Sequence, residues 1–187
     1  MLLAQIAPAT TSYPLDVILN ESRDTCALLI GAPDGNEVFT SRGWSPVDKS
    51  LGGWLAQYIG SNRDLGQALS LQSYDSVFRK RFANRDLILY VFGLAAAGSA
   101  RKPWGSCEVM DLTASGSITN DTVRRWAGRE PQPNYELGSN VLLRWVPSLS
   151  PGGADSSVTY SPANSPLASL RPGLIYTLVM LTGKQNS

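Results

Sequence analysis

At 187 residues, 43% of them hydrophobic and 17% charged, the chain reads as one β-rich domain, residues 1–187, too short for two domains with separate cores. A net charge of +1 gives no electrostatic footprint for nucleic acid or for an anionic membrane surface. With no histidine in the chain, Ser-His-Asp and Cys-His catalysis, His-ligated zinc and imidazole acid–base chemistry are excluded together.

Taken in chain order, Met1 to Pro14 (MLLAQIAPATTSYP) has no basic leader and only a broken apolar run, which predicts neither a signal peptide nor a membrane anchor. Leu15 to Leu19 reads as a short strand. Thr25 to Gly31 and Glu37 to Ser41 read as a hairpin about Ala32-Pro33-Asp34-Gly35-Asn36, where Pro presets φ and Asp and Gly accept unusual dihedrals. Ser45-Pro46-Val47-Asp48 has the signature of a helix start, and Leu51, Trp54, Leu55, Tyr58 and Ile59 follow at helical spacing. Gly52 and Gly53 would cost that helix about 1 kcal/mol each relative to Ala, so docking of the aromatic stripe has to hold it. Tyr74, Phe78 and Phe82, with Val77 beside them, repeat the i, i+4 pattern and predict a further short helix.

The best strand signals lie in the middle of the chain. Leu87 to Phe92 is apolar on both alternating faces, which asks for cover on two sides, and Cys107 to Leu112 alternates after a Gly-, Ala- and Pro-rich connection. Together they predict a long hairpin. Asn120-Asp121-Thr122 predicts a short capped helix carrying Val123, Trp126 and Ala127 and closed by Gly128. After a Pro-containing loop from Arg129 to Asn134, Asn140 to Val146 reads as a strand stopped by Pro147. Ser157 to Tyr160 is a short strand within the polar stretch Ser148 to Pro166, and Leu174 to Leu181 is again apolar on both faces but too short to span a membrane. The expected fold is mainly β: an antiparallel β-sandwich or jelly roll of about eight strands, with one to three short helices in the connections. The alternative is α+β, with helices covering one face of a single sheet.

No motif assigns a catalytic residue, a metal site or a cofactor. Ser99-Ala100-Arg101-Lys102 matches the spacing of serine acyl-transferases, but Pro103 follows at once and the preceding GLAAAG is loop-like. Gly183-Lys184 lacks the upstream glycines of a phosphate loop, and no calcium-loop pattern is present. The scattered carboxylates leave a glycoside hydrolase open, since two facing acids would suffice. Phe78-Arg79-Lys80-Arg81-Phe82 mixes cations and aromatics, yet as a helix it would turn the two phenylalanines to the core and the cations to solvent. Cys26 and Cys107 read as buried free thiols, with a bridge left open. Asn20-Glu21-Ser22 and Asn120-Asp121-Thr122 are N-glycosylation acceptors if the chain is secreted. Of the five tryptophans, Trp44 and Trp104 lie beside loops, where Trp and Arg commonly anchor a partner or a sugar ring.

The apolar strand LILYVFG, a small-residue loop and the alternating strand WGSCEVMDLTASGSI together resemble the closing strands of jelly-roll coat proteins of small RNA viruses. Residues Met1 to Tyr13 contain no basic arm of the kind that packages RNA in that family, so the likeness is to a protruding surface domain. The resemblance implies a structural, non-enzymatic domain on the virion surface that forms homo-oligomers and contacts a host receptor or glycan, without nucleic-acid binding or membrane insertion. The contact residues expected on that reading are Trp44, Arg101, Trp104 and Tyr160. A cellular carbohydrate-binding β-sandwich is the rival expectation.

Overall fold

The computed structural model describes residues 12–30, 36–47, 52–98, 104–132 and 139–181. Four helices are present among them: α1 (Leu15–Ala27), α2 (Asn36–Ser41), α3 (Gly53–Ala68) and α4 (Asn120–Ala127). The strands are β1 (Ser45–Pro46), β2 (Gln72–Phe82), β3 (Arg85–Ala95), β4 (Trp104–Asp111), β5 (Val141–Trp145), β6 (Asp155–Ser161) and β7 (Gly173–Leu181), and a 3-10 turn spans Pro166–Ser169. The seven strands form one antiparallel sheet in the order β1-β2-β3-β4-β7-β6-β5. The chain is thus mainly β, as expected, but its described strands lie in a single sheet instead of the two packed sheets of a sandwich or jelly roll. Helices supply the missing layers on both faces.

Why both faces need cover is plain in β3. Leu87 and Leu89 point to the side of α1 and α4, while Tyr90, Phe92 and Leu94 point to the side of α3. Ile18, Leu19 and Cys26 of α1 and Val123 of α4 pack with Leu87, Leu89, Cys107, Val109, Tyr176 and Leu178 in the larger core. Leu55 and Ile59 of α3 close the smaller core over Val77, Tyr90, Phe92, Met110 and Ile175. Gly66 lets α3 approach closely: a Cβ there would sit 3.0 Å from Leu94 Cδ2 and 3.2 Å from Ser73 Cβ.

Several local expectations are corrected. Leu15 to Leu19 is helical because the apolar stripe continues beyond it: Ile18, Leu19, Ser22, Thr25 and Cys26 are the buried positions of α1, a 3.6-residue repeat that a five-residue window hides. The expected hairpin is absent among the described residues: Thr25 to Ala27 end α1, Glu37 to Ser41 belong to α2, and of the turn Ala32 to Asn36 only Asn36, which begins α2, is described. Ser45-Pro46 is a short edge strand on β2 instead of a helix start, and α3 begins after Gly52, so the two glycines sit at its entrance and not in its interior. Tyr74 to Phe82 is a strand. Residues spaced by four share a face in a strand as well as in a helix, so Tyr74, Phe78 and Phe82 could not discriminate. What decides is the two-residue turn Ala83-Asn84, with φ of 48° and 60°, which pairs β2 with β3 from Phe82↔Arg85 to Gln72↔Ala95. Lys80 consequently points with the phenylalanines: it pairs with Glu21 of α1 at 2.6 Å and lies over the rings of Trp44 and Phe82. Arg79 and Arg81 turn the other way, toward Asp86. The helix at Asn120, the β3–β4 hairpin and the strands at β5, β6 and β7 stand where the sequence placed them.

Cys26 and Cys107 are bonded, not free, with Cα atoms 5.5 Å apart; the bridge ties α1 to the central strand β4. Both sulfurs lie in the larger core. Gly173, where β7 starts, has φ of +70°, and a Cβ there would collide with the Asp111 carbonyl and lie 2.8 Å from Leu112 Cα.

Two expected outcomes follow. Gly173→Ala combines a left-handed backbone with a backbone collision and should lower unfolding free energy by at least about 2 kcal/mol, read as a lower urea midpoint. Replacing both cysteines with Ala opens a loop of sequence separation 81 and should cost about 4 kcal/mol on the chain-entropy account, read by the same titration.

Candidate functional site

Of the four contact residues expected from sequence, the structure describes the side chains of Trp44 and Tyr160, and both are buried. Trp44 is 1% exposed, packed into the core beneath Lys80, and is unavailable to a partner. Tyr160 is 2% exposed; its hydroxyl donates to the Gly116 carbonyl at 3.2 Å, and one side of it borders a groove. Trp104 opens β4 opposite Leu94 and Leu181, and its side chain lies outside the described residues. Arg101 lies outside them altogether, as do Ser99, Lys102, Gly183 and Lys184.

Around residues 115–121 the surface is concave on two sides. One groove, of about 1040 Å3, lies between the start of α1 (Tyr13, Asp16, Val17), the 115–118 loop and Arg125 and Trp126 of α4. The second, of about 530 Å3, lies on the other side of that loop and is lined by Ser117, Thr119, Asp121, Asn140, Tyr160 and Asn164 among others. The dividing ridge is rigid for local reasons. Gly116 has φ of +117°, its carbonyl takes the Tyr160 hydroxyl, and Ala114 and Ile118 on either side are buried. Thr119 caps α4: its Oγ1 accepts from the Thr122 amide at 3.2 Å, while Thr122 Oγ1 accepts from the Thr119 amide at 2.9 Å. That reciprocal box occupies amides that would otherwise face an anion. The smaller groove is therefore rich in hydroxyl and amide residues and carries one carboxylate, that of Asp121. Trp126 is fixed where it borders the larger groove by Nε1–H donation to Asn20 Oδ1 at 3.0 Å and by an edge contact with Tyr176. The acceptor triplet at Asn20 is engaged as well, because Ser22 is buried and bonds the Ile18 carbonyl.

Buried charge lies elsewhere. Asp111, 1% exposed, accepts from Arg85 Nε at 2.6 Å, Tyr13 Oη at 2.9 Å and the Thr113 amide and hydroxyl at 3.0 and 2.9 Å. Burial alone would raise its pKa; the hydrogen bonds from Arg85, Tyr13 and Thr113 and the Arg85 charge outweigh burial and hold it below the usual carboxylate value. On the opposite face Glu108, 4% exposed, accepts from Tyr58 Oη at 2.9 Å, Arg171 Nη2 at 3.3 Å and Thr177 Oγ1 at 3.4 Å. Here burial dominates over Arg171 and the hydrogen bonds, and the carboxyl pKa is raised. Asp75 pairs with Arg63 at 2.7 Å, and Asp155 with Arg144 at 2.6 Å. Sequence reading noted these acids only as scattered. The signal was there for two of them, since Glu108 and Asp111 interrupt a strand that is otherwise buried. Among the described residues no helix is long and apolar enough to cross a membrane, and no cluster of three potential metal ligands occurs.

No family model, curated protein or solved structure matches this chain.

Asp111 stabilises the fold above the ordinary carboxylate range, and that contribution is lost as pH falls through its lowered folded value. Asp111→Asn should cost about 3 kcal/mol at neutral pH, since it removes the charge paired with Arg85 and replaces one of the two acceptor oxygens with a donor NH2. It should also flatten the acid limb of the stability curve, measured by urea unfolding at stepped pH.

Proposed function

We propose that this chain is a non-enzymatic recognition domain that binds glycan in the groove beside residues 116–121. The observation that carries the reading is the lining of that groove: hydroxyl and amide side chains of Ser117, Thr119, Asn140 and Asn164, with Tyr160 and the acceptor carboxylate of Asp121, on a ridge already fixed by hydrogen bonds. Sugars are recognised by hydroxyl, amide and carboxylate groups on a preformed surface, where little ordering has to accompany binding. Glycan contact is common to the coat-surface and the cellular binding-module expectations. The described strands form one sheet, which is neither the jelly roll of the first expectation nor the sandwich of the second, so the sheet does not choose between them. The hydrolase reading gains no support from Asp75, Asp111 and Asp155, which are held by arginines, or from the two grooves, which hold Asp16 and Asp121 separately.

Self-association is the second reading. Leu65 and Leu69, one helical turn apart at the end of α3, are 46% and 54% exposed, an apolar pair that a second copy of the chain would cover.

On a glycan array the wild-type chain is expected to give a discrete set of signals. Asp121→Ala with Asn164→Ala, two exposed groove positions, should weaken them at least about tenfold, roughly 1.4 kcal/mol, at unchanged thermal stability. A blank array, or unaltered binding by the double variant, would sink the glycan reading. Sedimentation at several concentrations tests the second: a reversible oligomer that Leu65→Glu returns to monomer supports it, and a strict monomer rejects it.

A further inference from the structure

The ridge beside α4 separates two grooves without isolating them. Gly116, Ser117 and Ile118 line both. Ile118 is buried and Gly116 has no side chain, so of these three only Ser117 raises an exposed side chain on the crest. The crest also has to stay low, because Gly116 has φ of +117°, a conformation that side-chain-bearing residues rarely adopt. A chain-like ligand can therefore pass from one groove into the other over a single hydroxyl.

The larger groove differs in kind from the smaller. Thr122, Arg125 and Trp126 stand at i, i+3 and i+4 on α4, hence on one side of it, and all three line the groove, while Val123 is buried in the core. The Trp126 ring is held by its bond to Asn20, by the edge contact with Tyr176 and by the Arg23 guanidinium 6.0 Å from its centroid. On the α1 wall Val17, 49% exposed, lies next to the carboxylate of Asp16. Arg125 donates through Nε to the Asp121 carbonyl at 3.4 Å, so one turn of helix carries the lining of the smaller groove into the larger. The larger groove thus sets an aromatic and an aliphatic surface among charged and hydroxyl groups. A sugar ring has the same make-up, C–H faces within a rim of hydroxyls, and a tryptophan meets it with a broad, stiff, apolar ring. At about 1040 and 530 Å3 each groove alone has the size of a small-ligand site, and together they exceed what one sugar unit fills.

We propose that the two grooves form one extended site whose ligand is an oligosaccharide laid across Ser117: one unit meets the hydroxyl and amide groups of the smaller groove, and a neighbouring unit lies against Trp126, within reach of Asp16 and Arg125, in the larger. This rests on the glycan reading of the smaller groove and adds to it a ligand no shorter than a disaccharide. Contacts in the second groove are gained without a second loss of translational freedom, so affinity rises with ligand length until both grooves are filled.

An array printed with linear glucose, N-acetylglucosamine, galactose and mannose series, each from monosaccharide to hexasaccharide, tests this on the intact chain. Within a bound series the signal should rise at least about tenfold from the monosaccharide to the longer members. Asp16→Ala with Arg125→Ala, two exposed positions that line the larger groove and not the smaller, should return the longer members to the monosaccharide level. Ser117→Trp, which puts bulk on the crest, should do the same. Blank series, equal signals at every length, or a length dependence that survives either change would overturn the extended site. The glycan reading of the smaller groove stands or falls separately, on whether Asp121→Ala with Asn164→Ala weakens whatever a broader array shows the chain to bind.

Discussion

A sheet whose central strands are apolar on both faces cannot stand in water until both faces are covered, and the rest of the molecule answers that requirement. In β3, Leu87 and Leu89 look one way and Tyr90 and Phe92 the other, each at 2% exposure or less. At about 1.5–3 kcal/mol per buried large apolar side chain, uncovering either face would forfeit as much as the whole net stability of a typical domain. The helices are therefore walls and not decorations in the connections. The Cys26–Cys107 bridge fastens one wall to the middle of the sheet, and Gly66 lets the other lie close.

Polar groups enter this doubly buried sheet at two positions of the same strand, on opposite faces, and their environments differ in kind. Asp111 receives donors on both oxygens, so its charge is fully met and the residue acts as a fixed joint between the N-terminal approach, β3 and β4. Glu108 receives donors on one oxygen only, and its burial outweighs them and the Arg171 charge, so its carboxyl pKa is raised. Two acids three residues apart are thus shifted in opposite directions: burial prevails at Glu108, whereas the donors of Asp111 outweigh it.

The parts legible in the sequence were those with a local cause. Thr122 and Gly128 announce a short capped helix, and the double apolarity of 87–92 and 174–181 announces the sheet's centre. What the sequence hid has equally specific causes. The stripe of α1 is longer than the five apolar-rich residues 15–19 that read as a strand, and residues four apart in 74–82 satisfy helix and strand alike. That helices and not a second sheet would cover both faces is a tertiary outcome, which strand apolarity requires but does not specify. The candidate site was harder still. Trp44 and Tyr160 look like surface anchors in composition but are core residues, whereas the groove is assembled from small polar side chains of 117–121, 140 and 164, each unremarkable where it stands in the chain.

The strand order has a kinetic meaning. β1 to β4 form one up-and-down meander and β5 to β7 another, each held by pairings between sequence neighbours. The two meanders meet only along β4 and β7, where even the nearest partners, Asp111 and Leu174, are 174 − 111 = 63 positions apart. Loop-closure entropy is thus light within each half and concentrated on one seam. Along that seam Val109 lies opposite Tyr176 and Cys107 opposite Leu178, the pairings whose closure costs the most chain entropy in the β4–β7 contact.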